Sequence, residues 1–195
     1  MSQVVPTSIE IQAALSPGVF TTIQEVHMRA APIEVQYGIS GTGPMDRVAS
    51  TGSMTWAQKN YARVAGGAPT DLGLWMPGHV NCTVGWEIGI EIRLAITYGG
   101  VTYYKFRGRL ADVVPDTGEY GRRAVLCVAY DWIDEAASSF IRNIVIQTNK
   151  RADQLLTTII AEAENQPTST SFDTGISTFA YALDNVEDER TSLLA

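Results

Sequence analysis

The residues able to do chemistry in this sequence are few and scattered. His27 and His79 are its two histidines, and Cys82 and Cys127 its two cysteines. A metal site needs several ligands at compatible spacing. His79-Val80-Asn81-Cys82 supplies one His and one Cys without a second pair, so structural or surface roles are expected. Cys127 lies in an apolar strand pattern and reads as a small buried hydrophobe, while Cys82 lies in a loop-like stretch. Two cysteines make no disulfide framework, and a bridge between them is the disfavoured alternative. Asp131, Asp134 and Glu135 form the kind of acidic cluster an acid–base or metal site uses. The same three fit a helix N-terminus, where a cap and the macrodipole favour carboxylates, and that is the favoured reading. Glu87, Glu91, Asp112 and Asp116 do not single out the facing pair that glycoside cleavage requires. There is no Gly-x-Ser-x-Gly, phosphate-binding glycine loop or Cys-x-x-Cys. No catalytic residue, cofactor site or metal site is expected.

The basic residues are more informative. Lys105, Arg107, Arg109, Arg122 and Arg123 put positive charge on one face of an otherwise acidic chain. The net charge is -7 and the pI about 4.8. Affinity for nucleic acid comes mostly from Lys and Arg on phosphates, so specific nucleic-acid binding is not expected. A solvated face, or pairing with a neighbour's carboxylates, is the favoured reading. Arg93, Lys105, Arg107 and Arg109 are therefore candidates for a subunit interface. Leu74, Trp75 and Met76 are candidates too, on the apolar tip of a long glycine- and proline-rich loop over residues 60–79. Trp75 and Trp86 would also suit a carbohydrate- or receptor-binding module, if exposed side by side.

The elements that must position these groups begin with residues 85–110. Ile88, Ile90, Ile92, Leu94, Ile96 and Tyr98 recur at every second position, the period of a strand with one buried face. Gly99-Gly100 turns the chain, and Tyr104, Phe106, Gly108 and Leu110 continue the apolar parity on the return. A two-residue turn with regular pairing would set Leu94 opposite Lys105. A one-residue slip flips every side chain, so an odd-length or bulged turn is predicted, with a Gly at positive φ. It would set Leu94 opposite Phe106 and Ile96 opposite Tyr104. Lys105, Arg107 and Arg109 then share the outer face.

Further strands are predicted at residues 9–13, 19–29, 32–39, 53–58 and 122–130, separated by Ser16-Pro17-Gly18, the loop 40–44 and Pro115-Asp116-Thr117-Gly118. At Asp131 the period changes. A helix is predicted from Trp132, with a stripe reaching Phe140, Ile141 and Ile144, and a second over about residues 151–164. A strand over residues 177–183 and a third helix from about residue 186 complete the pattern. That last helix has no stop signal, as in a chain cut off within an element. The chain has 195 residues, 45% of them hydrophobic and 18% charged, enough for a core without disulfides. No secretory signal or membrane span is expected. The fold class is α+β, with a β-domain over 1–131 and a helical segment over 132–195 that begins a second domain.

The succession of elements resembles a known family. It runs Ile33-Glu34-Val35-Gln36-Tyr37-Gly38-Ile39, then Asp46 to Trp56, the loop with Met76-Pro77-Gly78-His79, Trp86 to Arg93, and Tyr103 to Leu110. Val125 to Trp132 follows, with Phe106-x-Gly108 and the Asp131-Trp132 pair as its strand-end marks. Phe179 to Asp184, then Thr191 to Leu194, continues the pattern. This is similar to the N-terminal region of tail-tip and baseplate hub proteins of long-tailed bacteriophages. The resemblance covers most of residues 19–195. It implies an antiparallel β-barrel like the tail-tube fold, packed with helices and assembled as a homo-oligomeric ring around the tail axis. The implied partners are tube, distal tail and tape-measure proteins, and the implied location is the virion, after synthesis in the host cytoplasm. A tail-associated hydrolase is the least favoured alternative.

Overall fold

Alternating apolar and polar residues lay down one antiparallel sheet in the first part of the chain. The computed structural model describes residues 6–23, 26, 31–38, 50–63, 69–70, 72–116, 123–139 and 144–183. His27, the loop 40–44, Arg122, Phe140, Ile141 and the third helix expected from residue 186 lie outside them. The first nine strands are β1 (Ser8–Ser16), β2 (Val19–Thr22), β3 (Glu34–Gly38), β4 (Ser50–Lys59), β5 (Ala62–Arg63), β6 (Pro69–Thr70), β7 (Glu91–Tyr98), β8 (Val101–Asp116) and β9 (Ala124–Tyr130). Seven form a sheet in the order β2-β1-β7-β8-β9-β4-β3, and β5 pairs with β6. Contacts divide the chain into two compact units, Met1–Asp131 and Trp132–Ala195.

The sheet curls into a half-barrel and does not close, contrary to the barrel expected. The reason lies in its ends. β2 stops after four residues, and beyond it, among the described residues, a single isolated bridge, Val26 to Gln58, reaches β4. One bridge is not a ladder, so β2 and β3 remain edges. The concave face carries the core, with Ile11, Met54, Trp56, Ile92, Val125 and Cys127 wholly buried.

The β7–β8 hairpin shows where the odd residue sits. Gly99 and Gly100, at φ 56° and 80°, form a two-residue turn with Tyr98 opposite Val101. Leu94 does pair with Phe106, as register required, but Ala95 pairs with Tyr104 and Ile96 with Tyr103. The extra residue is Lys105, in a bulge within the strand. A second bulge at Ala111 shifts β8 against β9. Each adds local twist, which fits the curl of a 16-residue strand. The ladder also starts later than the alternation suggests. Ile88 is exposed and Ile90 half-buried, because Gly85 and Gly89 at φ 81° and 91° hold that stretch in turns.

The second unit contains α1 (Trp132–Ser138), β10 (Gln147–Arg151), α2 (Ala152–Ala161) and β11 (Thr178–Ala182). It is thus not the helical portion expected. The first helix ends at Ser138, and Ile144 lies outside it, buried just before β10. The segment from Gln147 pairs in register with β11, Thr148 opposite Tyr181 and Lys150 opposite Phe179. That ladder begins three residues past the last residue of the helical stripe, where no strand was expected. Trp132 Nε1 donates to the Asn165 carbonyl at 2.7 Å, and Asn165 Nδ2 to Glu135 at 2.9 Å. Asp153 binds the Arg151 guanidinium at 3.0 Å and the Gly175 N–H at 3.0 Å. These bonds hold its carboxyl down at about 2. Among the described residues no helix is long and apolar enough to cross a membrane.

Candidate functional site

The two ends of the half-barrel differ. At one end, residues 72–90 run as consecutive tight turns. The N–H groups of Met76, His79, Cys82 and Trp86 bond the carbonyls of Gly73, Met76, His79 and Thr83 at 2.9–3.2 Å. Each bond crosses three residues, so the chain winds back on itself and presents Trp75 and Trp86 inward. Their rings meet edge to face, with centroids 5.0 Å apart, and the Trp86 indole donates to the Trp75 carbonyl at 3.0 Å. They are 8% and 3% exposed, and Leu74 and Met76 pack half-buried against the same core. The indoles are thus together but inside, where they offer no platform for a sugar. Gly85 fits because a Cβ there would run into the Leu15 carbonyl.

At the other end the hairpin projects. Tyr98, Val101, Tyr103 and Tyr104 are 44%, 52%, 46% and 57% exposed. Beneath this rim an open cleft of about 590 Å³ lies between β3 and the ends of β7 and β8. Ile33, Val35, Leu94 and Ile96 supply its apolar walls, with Tyr37 and Lys105 among its polar groups. The size is in the range of ligand clefts.

The bulge decides which side each residue takes. Opposed residues of an antiparallel pair share a face. Tyr103, opposite Ile96, therefore joins the concave side, and Tyr104, opposite Ala95, goes to the outer one. Lys105 leaves the outer face predicted for it and lines the cleft beside Leu94. The other candidate cations remain outside. Arg93 and Arg107 sit directly opposite each other, an unfavourable juxtaposition of like charge. Aromatic and polar neighbours relieve it. The Arg93 guanidinium lies 3.9 Å from the Phe20 ring centre and 4.4 Å from that of Tyr104, and donates to Gln12 at 2.7 Å. Arg107 lies 5.3 Å from Phe20 and pairs with Glu91 at 2.9 Å. Arg109 donates to the Gly89 carbonyl at 2.9 Å. Lys105 makes no ion pair among the described residues and lies 5.8 Å from the Tyr103 ring.

Of the predicted interface residues, Arg93, Arg107 and Arg109 cluster on one face. Lys105 is turned away from them, and Leu74, Trp75 and Met76 lie at the opposite end. Period two over residues 32–39 puts Ile33, Val35 and Tyr37 on one side of a strand, but nothing in the sequence marks that side as the wall of a cleft. The signal for the bulge was present in the adjacent Tyr103 and Tyr104, which put large rings on both parities.

Among the described residues no group of three His, Cys, Asp or Glu side chains is placed to hold a metal. Cys82 and Cys127 are free thiols. Burial, then the charge of Asp112, pushes the Cys127 thiol far above its usual range, away from the nucleophilic thiolate. His79 is exposed, and its Nδ1 accepts from the Asn81 N–H at 3.1 Å.

No family model and no curated relative matches this sequence. Among solved structures, the chain is similar to the 43 kDa tail protein of prophage MuSo2 from Shewanella oneidensis. That likeness has 12% identity and a TM-score of 0.44 over 88% of this chain and 43% of that one. The chain thus spans less than half the length of that protein.

Proposed function

We propose that the chain is a structural component of a bacteriophage tail, a hub-like ring subunit at the tail tip or baseplate that works by assembly rather than catalysis. The observation that carries this reading is the half-barrel whose two edge strands pair with no further strand among the described residues, and its exposed apolar end. β2 (Val19-Phe20-Thr21-Thr22) carries neither a charge nor a proline of its own, although its shortness is itself one way a sheet edge is blunted. Such a surface gains stability when a neighbour covers it. A head-to-tail contact between two different surfaces of one sheet builds a ring when its rotation closes. The succession of sequence elements that resembles tail-tip hub proteins supports the same reading. Tube, distal tail and tape-measure proteins would be the neighbours along the axis, and the acidic balance would let DNA pass without adhering.

Mass spectrometry and cryo-microscopy of purified particles test this. The expected result is the chain in stoichiometric amount, in density that is rotationally symmetric about the tail axis. Particles lacking the chain would refute the reading. The receptor-binding alternative loses its main motive with Trp75 and Trp86 buried against each other.

A further inference from the structure

We infer that the open cleft is the acceptor for a second copy of this chain, whose outer β8–β9 ridge enters it and sets a carboxylate on Lys105. The inference rests on the assembly reading above and names its contact. The acceptor has apolar walls in Ile33, Val35, Leu94 and Ile96, neutral polar groups in Gln36 and Tyr37, and one cation, Lys105. Its donor should therefore be an apolar bump beside an acidic group. The same chain presents one. Past the second bulge, Val114 of β8 pairs with Leu126 of β9, and both point outward, 46% and 39% exposed. Asp112 lies two residues before Val114 on the exposed side, its Oδ1 accepting the Val113 N–H at 2.8 Å. That bond limits the rotamers of the carboxylate, so little order is lost on pairing.

Cleft and ridge occupy different parts of the sheet, so a copy that accepts at one can donate at the other. The contact is heterologous, which suits a ring and not a two-fold dimer. The bulge is what makes it available. Had Lys105 stayed with Arg107 and Arg109, the cleft would hold no charge and the ridge no electrostatic register.

Sedimentation of the purified full chain over a concentration series, with carbodiimide cross-linking, tests the contact. The expected result is concentration-dependent association that weakens with salt, and a zero-length link between Lys105 and Asp112 of different copies. Lys105→Glu and Asp112→Lys should each weaken association at least about tenfold, and the double variant should restore it. Thermal unfolding of each variant separates lost association from lost fold. A chain monomeric at every concentration overturns the contact. So do single variants that associate like the parent, or a double variant that does not recover. Saturation of the cleft by a small amphipathic anion, with no effect of the Asp112 change, overturns it in favour of a ligand site. Should particles contain the chain while the charge swap fails, the tail reading stands and this contact alone is wrong.

Discussion

One end of the half-barrel is closed by the chain's own aromatic residues, and the other is left open under a rim of them. In sequence the two stretches look alike. Residues 72–90 mix glycine with Leu74, Trp75, Met76 and Trp86, and residues 98–106 mix glycine with Tyr98, Tyr103, Tyr104 and Phe106. Their fates differ because their backbones differ. Repeated three-residue turns coil the first stretch onto the core, whereas a single two-residue turn at Gly99-Gly100 lets the second run out as a rod. Aromatic content therefore does not tell core from contact surface. The spacing of the backbone hydrogen bonds does.

If the closed end serves folding, its side chains should carry stability. Trp86→Ala removes a 3% exposed indole together with its bond to Trp75, and should cost about 3–5 kcal/mol in denaturant unfolding. Trp75→Phe should cost far less than Trp75→Ala, since its buried indole N–H has no acceptor among the described residues. A result near zero for Trp86→Ala would place that ring in a contact surface instead.

The glycines sharpen the same point at smaller scale. Gly85 and Gly89 share a positive φ, 81° and 91°, but only at Gly85 would a Cβ meet backbone, the Leu15 carbonyl. Gly89→Ala should cost about 1–2 kcal/mol for the left-handed conformation alone. Gly85→Ala should cost clearly more, because β1 must also move. Equal costs would mean that the loop does not press on β1.

Much of this sheet was legible in the residues. Alternation located β1, β3, β4 and β7 and the buried parity of Met54 and Trp56, and a run apolar on both parities located β9. The conflict of Leu94 with Lys105 called for an odd residue in the hairpin. Its position was not legible, since a bulge at the turn and one at Lys105 satisfy the same parity of Leu94 and Phe106. Closure was misjudged for a related reason. Whether β2 reaches β3 depends on non-local geometry, which period two does not encode. In the second unit, β10 falls in the gap between the two helical stripes, where no strand was expected. The partner that decides, Phe179 to Ala182, lies 29 to 35 residues on from the residues it pairs with. The cationic interface candidates drew on charge alone, which could not separate Arg93 and Arg107, held within the chain, from Lys105.

Arg107 tests that separation. Its bond to Glu91 joins side chains 39% and 33% exposed, so Arg107→Ala should cost only about 0.2–1 kcal/mol, less in high salt. Because it also relieves the repulsion with Arg93, the net change will sit at the low end. Association should be unaffected, which sets Arg107 apart from its neighbour two residues away.

The smallest effect on folding is expected at the open end. Lys105 pairs with no carboxylate among the described residues, and its ring contact with Tyr103 is a long 5.8 Å. Lys105→Glu should therefore shift unfolding by no more than about 0.5 kcal/mol. If the cleft is a contact surface, the same substitution should nevertheless abolish most association, because a carboxylate would then face the carboxylate of the incoming ridge. A large change in stability with none in association would reverse the roles of the two ends. It would mean that Lys105 holds the half-barrel's own open edge together. Unfolding and sedimentation of this one variant, set beside Trp86→Ala, read both quantities. A closed end built for folding and an open end built for joining require opposite answers from the two substitutions.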